Sequence, residues 1–179
     1  MSKSLDAGTL AKLSGLSVKK LHDAATAGEL PIIAEPSFIV FSHQQKFSLA
    51  DAVAIEVARQ LSDDGGLPLA TASKLVDNAG TRAYESSSDD FWIAIVRNRN
   101  TWPGGSRGSI KVTGFGQREF WSSSHCSGTF AEVTNTISGW IERDKVDFPD
   151  IDPARIFMAN VSTADRRLRK RAADMGIEL

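Results

Sequence analysis

The sequence predicts an α+β protein with a helical N-terminal part and a mixed C-terminal part. Three observations lead there. Before residue 82 the apolar residues recur mostly at helical spacing. Runs rich in Val, Ile, Phe and Trp begin only at Phe91. Between them lies Arg82–Asp90, RAYESSSDD, polar and without apolar period. The expected organisation is a first domain over 1–81, a linker over 82–90 and a compact α+β domain over 91–179.

The elements follow in order. Asp6 caps a short helix with Ala7, Leu10 and Ala11 on one face. Gly15 supplies the freedom for a tight turn. Ser17 caps a second helix with Val18, Leu21 and Ala25 facing inward, and Gly28 closes it. Two short helices around such a turn make a helix-turn-helix pattern. Pro31 to Phe47 reads as a hairpin or wing, with Ile32-Ile33 and Phe38–Phe41 as strands around Glu35-Pro36-Ser37. Ser48 and Asp51 form a capping signal for a helix carrying Val53, Val57 and Leu61 inward, flanked by Ile55 and Ala58. Asp63-Asp64-Gly65-Gly66 stops it. Pro68 suits the first turn of a fourth helix with Ala72, Leu75 and Val76 inside.

Past the linker, Phe91–Val96 is a buried-strand candidate. Ser109–Thr113 and Arg118–Trp121 are two more, joined through Gly114-Phe115-Gly116. Thr129 and Glu132 make a capping box for a helix with Phe130, Val133, Ile137 and Ile141 on one side. Arg155–Val161 is a further strand. Ser162 and Asp165 are expected to cap the last helix, with an inner stripe of Ala164, Leu168, Ala172 and Met175.

The composition narrows the function. The 179 residues are 41% hydrophobic and 24% charged, which fits a folded globular chain and not a disordered one. A net charge of -1 gives no global pull toward nucleic acid or membrane. A single cysteine, Cys126, allows no intrachain disulfide and suits a reducing cytoplasm. No run approaches the roughly 18 apolar residues of a membrane span, and the first residues lack a signal peptide's apolar core. Cytoplasmic location is therefore expected.

Catalytic patterns are poor. His22, His43 and His125 are scattered, and C-x-x-C, H-E-x-x-H and phosphate-loop spacings are missing. Ser122–Cys126 reads as a loop and not as a nucleophile beside its base. Pro103-Gly104-Gly105 reads as a hairpin turn. No catalytic residue, metal site or cofactor is expected.

The stretch Gly15–Leu30, GLSVKKLHDAATAGEL, resembles the helix-turn-helix of the MerR family of transcription regulators. The agreement lies in Gly15, Ser17, Val18, Lys19, Leu21, Gly28 and Leu30. Phe47-Ser48-Leu49-Ala50-Asp51 is similar to the start of that family's third helix, and Gly66-Leu67-Pro68-Leu69 to the start of its fourth. The resemblance covers roughly residues 5 to 79. It implies a winged DNA-binding domain whose second helix lies in the major groove. Lys19, Lys20, His22 and Thr26 would then face the duplex or its flanks. Lys12, Ser17, His43 and Lys46 would contact the backbone, Ser17 through a helix N-terminus. The expected function is a sequence-specific, repressor-like regulator on double-stranded DNA. The alternative is an excisionase-like or packaging-adaptor module that shapes DNA or binds protein.

Residues 1–80 carry slightly more acids than bases, so useful affinity calls for two or more subunits on adjacent half-sites. No heptad follows the first domain. A homodimer contact is therefore expected within 91–179, which offers room for a small effector as well. Two further basic features have plainer readings beside the functional one. Arg97, Arg99, Arg107, Lys111 and Arg118 interleave with aromatics and could bind single strands, though strand alternation explains them. Arg167, Lys170 and Arg171 offer a phosphate-binding edge, or simply complement a helix C-terminus.

Overall fold

The computed structural model describes residues 4–31, 47–78, 90–102, 118–147 and 152–179. Among them are six helices and a three-stranded antiparallel sheet. The order is α1 (Ala7–Ser14), α2 (Val18–Thr26), α3 (Leu49–Asp63), α4 (Leu69–Asn78), β1 (Phe91–Trp102), β2 (Arg118–Thr129), α5 (Phe130–Asp147), β3 (Asp152–Asn160) and α6 (Val161–Asp174). The expected wing (residues 32–46), most of the linker (82–89), the strand Ser109–Thr113 and the turns at 103–108 and 114–116 lie outside the described residues.

The N-terminal helices start and stop where their sequences direct. The Asp6 carboxylate accepts the Thr9 N–H at 2.7 Å, and Ser17 accepts the Lys20 N–H at 3.2 Å. At α3 the capping box closes in both directions, the Ser48 N–H reaching Asp51 at 2.6 Å. Phe47 pairs back onto Leu5 in an isolated antiparallel bridge. The Ser73 hydroxyl of α4 donates to the Glu29 carbonyl at 2.5 Å and ties down the segment after α2.

The sheet has the order β2-β1-β3, so β1 is its middle strand. Its apolar run Phe91–Val96 is continuous because both faces are covered. Ile93 and Ile95 join Phe157 and Ala159 of β3 against α3 and α6. Ala94 and Val96 pack with Val133 and Ile137 of α5 on the other face. The result is a layer of α3 and α6, a sheet, and α5. One buried apolar cluster runs from Leu5, Leu10 and Leu21 through α3 to Ile93, Phe157 and Leu168. It crosses the position of the expected linker, so the two halves share a core.

Several sequence expectations need correction. Ser122–Cys126 is not a loop: it lies inside β2, paired with Ala94–Asn98 of β1. Its polar side chains hid it, since an edge strand needs no continuous apolar pattern. β1 likewise runs on to Trp102. The cap of α6 is Asn160, whose side chain accepts the Thr163 N–H at 2.7 Å, and not Ser162. β3 passes directly into α6, so the last strand residue takes the capping position. Ser162 is buried and accepts the Phe91 N–H at 2.9 Å instead, stitching α6 to β1. Asp165, also buried, accepts from Arg169 at 3.0 Å.

Three residues assigned inward lie outside. Met175 follows the last turn of α6 and is 49% exposed. Phe130 begins α5 at the rim of the sheet and is 53% exposed, meeting Trp92 edge-on with ring centroids 5.2 Å apart. Val18, on the first turn of α2, is 45% exposed.

Candidate nucleic-acid interface

The candidate site is built on α1, the turn at Gly15 and α2. An α-helix leaves its last carbonyls without partners inside the helix, and those at the end of α1 all find acceptor roles. Gly15 adopts a left-handed φ of 68°, which lets its N–H reach the Lys12 carbonyl at 3.3 Å. The Ala11 carbonyl takes the Leu16 N–H at 3.0 Å and the Ser14 hydroxyl at 3.1 Å. The last two carbonyls are satisfied from far away in the chain. Ser14 accepts from the Arg59 guanidinium of α3, and Leu13 from the Arg171 guanidinium of α6.

Those two arginines also meet carboxylates. Arg59 lies 3.4 Å from Asp63, one turn on along α3, and Arg171 lies 3.5 Å from the buried Glu56. A cation at a helix C-terminus complements its dipole. Here two of them, one from α3 and one from α6, brace the same helix end. Arg171, expected as a phosphate contact, is engaged inside the protein instead. Arg59 and Glu56 carry no assignment in the sequence reading. Their signal there is a charged pair three residues apart, Glu56 inside the otherwise apolar run Ala52–Ala58 and Arg59 just after it; the partners on α1 are invisible to it.

Helix α2 is docked lightly. Leu21 is its single fully buried residue, bordering the same narrow space as Leu10, Leu30, Phe47 and Ile55. Ala24 and Ala25 pack at the margin of that cluster. The N-terminal turn therefore stands in solvent, with Val18, Lys19 and Lys20 exposed. Lys12 is exposed at the end of α1. Lys12, Lys19 and Lys20 have no ion-pair partner among the described residues. Ser17 holds the Lys20 N–H, which leaves its own O–H as a donor.

The remaining assigned residues divide. His22 is half-buried with Nδ1 3.5 Å from the Asp23 carboxylate, so it shares its surroundings with an acid. The Thr26 hydroxyl donates to the His22 carbonyl at 2.9 Å and is used within the helix. His43 and Lys46 lie outside the described residues. Arg167 and Lys170 are exposed on α6 and make no ion pair with described residues, whereas Arg166 pairs with Asp90 at 2.9 Å. Because Arg171 touches Leu13, the C-terminal end of α6 reaches the same turn that leads into α2.

Elsewhere the chemistry is quiet. Cys126 and His125 occupy successive positions of β2 and so point to opposite faces. Cys126 packs under α5, and that burial pushes its thiol pKa up, away from the reactive thiolate. No group of His, Cys, Asp and Glu suited to a metal gathers among the described residues, and no described helix is long and apolar enough to cross a membrane. No known protein family matches the chain, and no curated protein is similar to it.

Proposed function

We propose that the chain is a sequence-specific DNA-binding regulator of the MerR-like winged helix-turn-helix type, acting repressor-like as a homodimer on double-stranded DNA. The observation that carries this reading is the placement of α2. A recognition helix must stand clear of its own protein while staying attached to it, and an α2 anchored at one buried residue suits that role. It is anchored by Leu21 and by the braced turn, and its first turn carries Lys19 and Lys20 exposed and without an ion pair among the described residues.

The chemistry of that turn fits a duplex. Lys19 and Lys20 neutralise phosphates or reach guanine acceptors. The exposed Val18 offers apolar contact to a thymine methyl. Ser17 and the free N–H groups at the start of α2 suit a phosphate oxygen. Lys12 extends the positive surface onto α1. Few cations lie on each subunit's contact face, so binding two half-sites raises the affinity that one subunit lacks.

The test uses a labelled duplex carrying the promoter of the chain's own gene, titrated at several salt concentrations against random-sequence duplex. Lys19→Glu combined with Lys20→Glu abolishes specific binding and leaves the circular dichroism spectrum and oligomeric state unchanged. Replacing either lysine by Ala lowers the salt-dependence slope by about 1. Retained specific binding by the double variant refutes the assignment of α2. A protein-contact or DNA-architecture role is the second reading, and Val18 is the residue that favours it. In that case Val18→Asp removes a protein partner while duplex binding stays absent in the wild type.

A further inference from the structure

β3 forms one rim of the sheet, and no described strand pairs with its outer edge. Exposed edges of this kind are normally short, charged or covered. The opposite rim, β2, has α5 packed against it and is polar along Ser122–His125. β3 has α3 packed on its face in the same way, but its rim carries the apolar Ile156 and Met158 where β2 carries serines. Its irregularity falls at the start, where the register with β1 shifts between Arg97 and Asn98 and where Pro153 sits. Beyond that point the strand runs regularly from Arg155 to Asn160. Ile156 stands 47% exposed on it, and Met158 is half-buried beside it.

A cleft of about 620 Å³ follows this edge, bordered by the end of α3, by residues 156–160 and by Trp92, Thr163 and Arg167. Its walls carry both signs of charge, Asp64 from α3 and Arg167 from α6. Both are exposed and make no ion pair with described residues.

We infer that β3 pairs antiparallel with β3 of a second copy of this chain across a two-fold axis, joining the two sheets into one. In a two-fold interface the same patch meets itself, so the patch must be self-complementary. An antiparallel strand edge satisfies that condition, because its donors and acceptors match their own inverse. A wall of one sign would repel its copy; a wall with Asp64 and Arg167 offers each subunit's acid to the other's base. Centred on Phe157, the pairing sets Ile156 opposite Met158 and Arg155 opposite Ala159. Apolar side chains then cover each other, and the two Arg155 side chains do not meet. No residue of α2 borders the cleft. The inference supplies the second subunit of the DNA reading and rests on that reading only for its use on a duplex. Its test is read without DNA.

Sedimentation equilibrium of the full chain gives a dimer. Ile156→Lys raises the dimer dissociation constant by about tenfold or more, with an unchanged circular dichroism spectrum. Asp64→Arg and Arg167→Asp each weaken the dimer about tenfold, and the two together restore it, which decides the matter even where Ile156→Lys disturbs folding. A wild-type chain that sediments as a monomer overturns the inference. So does a dimer indifferent to Ile156→Lys and to both charge reversals.

Discussion

Arg171 shows how far a single side chain can matter. Its guanidinium holds the Leu13 carbonyl and faces the buried Glu56, so it bridges α6, α1 and α3 at once. Arg171→Ala leaves both acceptors without their donor and costs about 1–3 kcal/mol in a urea titration. Arg171→Lys restores only part of that, because an ammonium lacks the planar fork that spans two acceptors. Gly15 is constrained from two directions. Its φ of 68° disfavours any side chain, and an added Cβ would stand 3.3 Å from the Arg59 guanidinium. Gly15→Ala therefore destabilises by about 1–2 kcal/mol and, under the proposed function, weakens duplex binding by misplacing α2.

At the scale of elements, capping explains where helices begin and how stability responds to acid. Ser48→Ala removes half of the α3 box and costs about 1 kcal/mol. At α5 the Thr129 N–H and hydroxyl donate to Glu132 at 2.8 and 3.0 Å and hold its carboxyl below the usual glutamate range. A depressed folded-state pKa stabilises the fold fully above the unfolded-chain value and is lost as pH falls through the folded one. Asp90 behaves alike, lowered by its hydrogen bond from Arg166. Acid titrations followed by circular dichroism therefore show a shallower loss of stability in Glu132→Gln than in the wild type. An identical profile removes Glu132 from the acid response. The capping signals at Asp6, Ser17, Ser48 and Thr129 are all readable from sequence, since donor and acceptor lie three residues apart. The cap of α6 escapes that reading because β3 runs into the helix without a loop.

For the whole molecule, the shared core is the governing fact. Leu10 and Leu21 belong to the same buried cluster as Ile93, Phe157 and Leu168, and α3 lies between them. From Asp51 to Ala58 every residue of α3 is buried, because α1, α4, α6 and β3 each take a side. An amphipathic pattern identifies one inward stripe and misses such a helix's other contacts. A core continuous across both halves predicts one cooperative unfolding transition, with the same midpoint whether followed by Trp fluorescence or by far-UV circular dichroism. Two separated midpoints would mean that residues 1–81 and 91–179 unfold independently.

By itself the sequence determined the mixed fold class, the capped helices of the N-terminal part, the turn at Gly15 and the buried strand at Phe91–Val96. Each depends on neighbours a few residues apart, so the pattern carries the physics. Only the tertiary structure decided which cations are engaged among the described residues. It drew Arg171 onto a carbonyl 158 residues away and left Lys19, Lys20 and Arg167 in solvent. It also turned the serine run of β2 into a strand and left β3 at a rim that no other described strand pairs with. Strand partners and long-range guanidinium contacts are set by chain closure and packing, which no local spacing encodes.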